Sequence, residues 1–313
     1  MAGVSPSTVS NVLNQRSNVS DETRQRILEL CREYHYIPNA AGKSLKTKES
    51  KTILFNFSDF DRSFFLKIIN GIGDYVAQNG YDLMICTTKS CEKYMHNNQT
   101  DGAIILDGRM DSTVLYRAAK EQYPIVVLDR TLLHPFIKSI VINNNETMTE
   151  MMKEIIRRGY KKFAFIGGLD TDDNKERFQA FRDVLDAHTI PFYHKYYFSG
   201  DYREFSGYQA AKIFLSMPEV PEIFVCANDN MAIGAINALR ELGYRIPDDI
   251  SVTGFDNCDR AEIAGLTTIA IPNYERGYLA AQSLLNLIGG EKNYDPMKIS
   301  AVVQWRQTVG VKT

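Results

Sequence analysis

The residues of this 313-residue chain best suited to chemistry fall into two sets. The first opens the sequence: Val4-Ser5-Pro6-Ser7-Thr8-Val9-Ser10-Asn11-Val12-Leu13-Asn14. This run reads as a turn feeding a short recognition helix. Ser5 is placed to cap it, and Pro6 takes the first helical position, where a missing N–H costs nothing. A recognition helix reads base edges with residues near its N-terminal end. Here those are Pro6, Ser7 and Asn11. Ser7 can donate or accept, and Asn11 can pair bidentately with adenine. Thr8 and Ser10 suit phosphates, which position without specifying. The second set is dispersed. Arg177 follows Asp172-Asp173-Asn174, while Asn228 and Asp256 each end a short apolar run. By residue type alone Arg177 reads as a solvated helix residue. Asp256 either caps the next helix or faces a cleft.

Catalytic patterns are missing from the sequence. It holds no G-x-S-x-G elbow, no G-x-x-x-x-G-K-[ST] loop and no H-E-x-x-H. The five histidines have no metal-ligand spacing, and Asp170, Asp172 and Asp173 read as a solvated loop. The expectation is a chain that is not an enzyme and has no cofactor and no metal. Five cysteines without ligand spacing, an odd number, point to a reduced, cytoplasmic chain. No export signal opens the sequence and no apolar run is long enough to span a bilayer. Residues 1–51 carry eight Lys or Arg against five Asp or Glu, net +3, which leaves the remainder at −5. A basic head on an acidic body fits a polyanion partner at one end only.

The elements that must position these residues follow two rhythms. Helices are expected over 6–13 and from Asp21, the second capped by Ser20 with Asp21 and Glu22 favourably placed in its first turn. Asn39 caps a short helix over 40–45, and 47–51 is a polar linker. From Thr52 strands and helices alternate: strands over 53–57, 81–86, 103–106 and 125–128, with helices over 64–78 and 112–122. After Asn143 the rhythm restarts, with helices over 146–158, 175–188, 205–216 and 230–242. Strands there run over 163–166, 193–198, 223–226 and 251–255. Short apolar runs alternating with helices imply parallel sheets covered on both faces. Ligands of such sheets sit beyond the carboxyl ends of the strands.

Taken together, these signals resemble the LacI/GalR family of bacterial transcriptional repressors. Val4-Ser5-x-x-Thr8-Val9-Ser10-x-Val12-Leu13-Asn14 is similar to its recognition helix, and Pro38-Asn39 through Leu45 to its hinge helix. Asn228-Asp229-x-x-Ala232-x-Gly234 and Ile246-Pro247-Asp248-Asp249-Ile250-Ser251-Val252-x-Gly254-Phe255-Asp256 resemble its body motifs, and Arg306 with Thr308 also fits. The resemblance implies an α/β fold: a periplasmic-binding-protein-like body of two doubly wound parallel-sheet subdomains behind a small all-α DNA-binding headpiece. The implied divisions are a helix-turn-helix headpiece over 1–38, hinge helix and linker over 39–51, and an effector-binding and dimerisation body over 52–313. Within the body, the first subdomain would take about 52–142 and 273–299, and the second about 143–272 and 300–313. Crossovers fall near Asn143, near Pro272 and over 300–304.

The implied function is a cytoplasmic, homodimeric repressor of a sugar-utilisation operon, bound to a pseudo-palindromic double-stranded operator and controlled by a sugar-like effector. DNA contacts would come from Ser5, Pro6, Ser7, Thr8, Ser10, Asn11, Asn39 and Lys43, with Leu45 as a minor-groove wedge. Effector contacts would come from Phe64, Phe65, Asp129, Arg177, Tyr202, Asn228 and Asp256, with Asp59 and Asn143 as lesser candidates. A purine or nucleoside effector is the alternative within this class. The competing classes are a solute-binding protein without DNA function, which would need an export signal and no hinge motif, and a sugar-processing enzyme.

The chain departs from the pattern at four points. The family's first headpiece helix would precede Ala2, and without it Val4, Val9, Val12 and Leu13 would be expected to lose a packing partner. Asn11 stands where a basic residue is common, and Gly42-Lys43 where Ala-Arg is frequent. The stretch between Tyr81 and Asp101 is short, so the helix there is expected to be stunted. A six-residue helix is marginal in water, so residues 40–45 are expected to order only on DNA. Hydrogen exchange checks this: their amides should exchange freely in the unbound protein and slow on operator. Slow exchange without DNA would refute it.

Overall fold

The computed structural model describes residues 3–13, 16, 18–36, 49–57, 64–96, 99–291 and 295–312. Asn39, Lys43, Leu45 and Asp59 lie outside the described residues. The chain divides into two compact units, residues 1–50 and 51–313.

In the first unit, helix α1 (Pro6–Leu13) is followed by α2 (Asp21–Glu33). The Ser5 hydroxyl accepts from the Thr8 amide at 3.2 Å and the Ser20 hydroxyl from the Thr23 amide at 3.4 Å. Val12 of α1 and Ile27 of α2 are buried. Pro6 and Ser7 are exposed, while Thr8, Ser10 and Asn11 are half-buried. The Arg24 guanidinium donates to the Arg16 carbonyl at 2.5 Å.

The second unit holds two six-stranded sheets. Before Asn143 the chain lays down β1 (Thr52–Phe57), α3 (Phe64–Gln78), β2 (Asp82–Thr87), α4 (Thr88–His96), β3 (Gly102–Leu106), α5 (Ser112–Lys120), β4 (Ile125–Val127) and β5 (Ile137–Ile142). Then come α6 (Asn144–Arg157), β6 (Phe163–Gly167), α7 (Asp172–Ala187), β7 (Tyr197–Ser199), α8 (Glu204–Leu215) and β8 (Ile223–Cys226). The chain continues with α9 (Asp229–Glu241), β9 (Ser251–Asp256), α10 (Asp259–Ile263), β10 (Thr267–Ala270), α11 (Asn273–Ile288), β11 (Met297–Ile299) and β12 (Val302–Gln304). The first sheet runs β11-β5-β4-β3-β1-β2 and the second β12-β10-β9-β8-β6-β7. Every pairing is parallel except β10 with β12. The chain therefore leaves the first sheet after β5, returns through α11 to β11, and crosses again to β12.

Both faces of the first sheet are covered, and strand alternation decides which residue goes where. Ile53, Phe55 and Phe57 pack with Ile68 and Ile72 of α3, whereas Leu54 packs with Cys91, Met95 and Leu115 of α4 and α5. The short stretch between Tyr81 and Asp101 thus still contributes a helix. One expected strand is shortened. The run from Tyr193 enters β7 only at Tyr197, after a 3-10 turn over His194–Tyr196. Tyr196 turns inward there and donates to the Glu219 carbonyl at 2.9 Å. The strands β5, β10 and β11 and the helix α10 lack a clear pattern in the sequence, being three to six residues long.

Glycine sets the helix spacing in each half. A Cβ at Gly71 of α3 would strike the Tyr274 carbonyl, and one at Gly277 of α11 the Ile68 carbonyl. In the second half Gly207 of α8 meets the backbone of Met231, and Gly234 of α9 that of Glu204. Two helix pairs thus approach at backbone distance. We expect Gly234→Ala to destabilise the body by roughly 1–3 kcal/mol, since overpacking outweighs the helix-propensity gain of about 1 kcal/mol. Gly73→Ala, with open space around the new methyl, should be neutral or stabilising. Urea unfolding of both variants checks this. Equal effects at the two positions would contradict it.

Candidate functional site

The carboxyl ends of the two sheets line one cleft. From the first sheet come Phe64 and Phe65 after β1, Leu106, Gly108 and Arg109 at and after β3, and Asp129 and Arg130 after β4. From the second come residues 169–173 after β6, Arg177 of α7, Tyr202 after β7 and Asp256 at the end of β9. Ile271 and Arg276 complete the lining from the β10–α11 connection. The cleft has aromatic and aliphatic walls with a few fixed polar groups, the form of a small-ligand pocket.

Arg177 is held rigidly. Its side chain is buried, Nε donates to Asn144 Oδ1 at 3.0 Å and Nη1 to the Ala227 carbonyl at 2.7 Å. The guanidinium lies over the Phe255 ring at 3.6 Å, and Nη2 is 4.0 Å from Asp173. Stacking and two hydrogen bonds leave the Nη2 side of the fork for the cleft. Asn144 is itself fixed, donating to Asp173 at 3.1 Å and Glu176 at 2.9 Å.

The carboxylates are perturbed by burial. Asp129 is pushed up to about 6, chiefly by desolvation, against the pull of Arg130 3.5 Å away. Neither of its oxygens accepts a hydrogen bond from a described residue. Asp229, beneath the cleft, is pushed up to about 7 by burial and then by Asp256. It accepts from Thr268 Oγ1 at 2.5 Å and from the Cys258 amide at 2.7 Å. These bonds fix the turn after β9, where Asp256 and Asn257 both adopt positive φ, 107° and 54°. Arg306 ties that turn down from the other side, donating to Asn257 Oδ1 and to the Leu266 carbonyl, each at 2.8 Å. Thr308 Oγ1 accepts from the Thr267 amide at 2.8 Å.

Phe64, Phe65, Asp129, Arg177, Tyr202 and Asp256 all line the cleft. Asn228 does not. Its Oδ1 caps α9 at the Met231 amide, 3.0 Å, and its Nδ2 donates to the Tyr202 carbonyl at 2.9 Å. Each end of the amide thus makes one bond within the fold, and Asn228 holds the backbone of Tyr202. Tyr202 sits at φ 68°, its ring packed where a Cβ on Gly168 would lie. Asn143 precedes α6 and its side chain donates to Glu146. Arg276 went unread in the sequence. The legible signal was its place on the face of α11 that also carries Asn273, Gly277, Ala280 and Leu284, all buried.

Comparison with known proteins places the chain. Residues 1–39 match the profile of bacterial regulatory proteins of the lacI family, and residues 152–309 match the periplasmic binding protein-like domain. Among curated relatives, the protein named "Probable HTH-type transcriptional repressor ExuR" of Bacillus subtilis (strain 168) is 33% identical over 298 residues, 92% of this chain and 89% of the relative. The solved Lac repressor dimer bound to operator and the anti-inducer ONPF superposes with a TM-score of 0.84 at 28% identity, covering 98% of this chain and 96% of that one. A complex of the transcriptional regulator CelR with cellobiose gives a TM-score of 0.76 at 25% identity, covering 98% and 97%. The chain belongs to the lacI family of bacterial regulatory proteins, which are DNA-binding transcriptional repressors. Among the described residues no helix is long and apolar enough to cross a membrane, and no cluster of ligating side chains could hold a metal ion.

Because Asp129 binds its proton more tightly folded than unfolded, its protonated form stabilises the fold at acid pH. That contribution is lost as pH rises from about 4 through about 6. Asp129→Asn should therefore match the native chain at pH 4 and exceed its stability at pH 7.5 by roughly 1–3 kcal/mol. Urea titrations across that range check the sign. A variant less stable at neutral pH would reverse it.

Proposed function

We propose that this chain is a sugar-responsive repressor that acts in the cytoplasm as a homodimer, with the effector held in the cleft between the two sheets. The observation that carries this reading is the pairing of buried acceptors with an aromatic wall. Among the described residues neither Asp129 oxygen accepts a hydrogen bond, Arg130 standing 3.5 Å away, and Asp129 lies beside Phe64, Phe65 and Tyr202. A buried acceptor without a donor costs free energy, and a sugar brings several hydroxyl donors on a face that packs against aromatic rings. Arg177 supplies donors to the ring or hydroxyl oxygens. Pro6, Ser7 and Asn11 at the start of α1 would read operator bases, while Ser5, Thr8 and Ser10 order the helix start or meet phosphate. Asn39, Lys43 and Leu45 are assigned to the hinge by sequence similarity alone. Effector binding would change operator affinity by the difference in its affinity for the two arrangements of the protein.

The test is a thermal-shift and calorimetric panel of sugars with purines as the contrast. A sugar at a hundred times its dissociation constant should stabilise the body by about 2.7 kcal/mol. Arg177→Ala should abolish that gain. The variant loses roughly 1–3 kcal/mol of unliganded stability as Asn144 and the Ala227 carbonyl lose their donor, yet the body's large core keeps it folded. Unchanged sugar affinity in this variant would remove Arg177 from the site, and binding of a purine in place of any sugar would overturn the reading.

A further inference from the structure

One charge in the cleft has no ion-pair partner among the described residues. Arg276 stands in the first turn of α11 with 3% of its surface exposed. Among the described residues its one hydrogen bond runs from Nη2 to the Leu128 carbonyl. Nε is buried without a hydrogen-bond partner among the described residues. Among the described residues no carboxylate lies within ion-pair distance of its guanidinium. Asp173, Asp129 and Asp256 act on it only at longer range. Arg177 forms a contrast, being stacked and doubly hydrogen-bonded. An unpaired buried cation is strongly destabilising, so a residue of this type at this place fits a site that waits for an anion.

The residue next to its carbonyl partner is Asp129, which has the opposite deficit. Arg276 has only donors and Asp129 has only acceptors, and the two do not satisfy each other. A ligand complementary to both carries an anionic oxygen pair for the guanidinium and hydroxyls for the carboxylate. Resting on the sugar reading above, we infer that the effector is a sugar acid, a polyhydroxylated carboxylate of the hexuronate type, with its carboxylate on Arg276. A phosphate ester fits less well. Asp129, Asp173 and Asp256 line the same cleft, and their field opposes a second negative charge. A planar carboxylate also matches the guanidinium edge in a bidentate pair.

Calorimetric titration with D-galacturonate and D-glucuronate against D-galactose and D-glucose tests this, on the full chain and on Arg276→Met and Arg276→Lys. In the native chain at least one uronate should bind about tenfold or more tightly than its neutral hexose, as expected of a charged hydrogen bond. Arg276→Met should erase that preference while its unliganded melting temperature stays equal or rises, since an unpaired buried charge is removed. Arg276→Lys should keep part of the preference. A neutral hexose that binds the native chain as tightly as its uronate overturns the carboxylate subsite but leaves the sugar reading standing. A uronate preference that survives Arg276→Met removes Arg276 from the subsite. If guanine or hypoxanthine binds and no sugar or sugar acid does, both fall together.

Discussion

Charge buried in a low-dielectric space must be answered, and the cleft of this protein is organised around that constraint. Arg177 is held on three sides: a π face, a carbonyl and an amide fix it and leave its Nη2 edge toward the cleft. Asp229 is answered by a hydroxyl and an amide, which makes it a fixed support for the turn that presents Asp256. Asp129 and Arg276 are answered only in part. The division has a functional sense. Groups that shape the site are satisfied internally, and the least satisfied groups face the space a ligand can fill.

The frame that permits this depends on backbone contact between helices. Gly71 with Gly277, and Gly207 with Gly234, let two helix pairs close to distances that side chains forbid. The α3–α11 pair brings the Arg276 turn against the first sheet, so that a residue far along the chain meets the strand end at Leu128. The α8–α9 pair places Asn228 at the start of α9, where it caps the helix and grips Tyr202. Gly168 then leaves room for the ring. Packing and site chemistry are in this way one problem, solved at the same few glycines.

Most of the regular elements were legible in the sequence because apolar runs and helical stripes are local signals. The helices over 6–13 and 64–78 and the strand over 223–226 have the bounds their patterns imply. Short edge elements were not legible: β10, β11 and β12 hold three or four residues each, and their pairing is settled by the crossovers. The site was legible unevenly for a related reason. Arg177 and Asp256 lie in recognisable motifs, so resemblance pointed to them. Asn228 lies in a motif too, yet it is not among the residues lining the cleft, and its amide caps α9 and holds the Tyr202 carbonyl. Arg276 has no motif. Only its face on α11 marked it, and an arginine on an apolar stripe is meaningful once the stripe is known to be buried.

The same distribution explains why a ligand can act as a signal. Asp129 and Arg276 belong to the side of the first sheet, whereas Arg177, Tyr202 and Asp256 belong to the second. A ligand that uses both sets gains its full binding energy only when both are in reach, so it favours that arrangement over any with the two sheets apart. Its leverage is that difference in affinity and nothing more. The Lys67–Asp259 pair, 2.8 Å apart, also links the two halves, but both side chains are exposed. An exposed pair contributes about 0–1 kcal/mol, too little to hold the cleft closed alone. Moving a two-state equilibrium from about 1:99 to 99:1 takes about 5.5 kcal/mol. A charged hydrogen bond contributes roughly 1.5–3 kcal/mol, so a shift of that size needs at least two such bonds made in one arrangement and lost in the other.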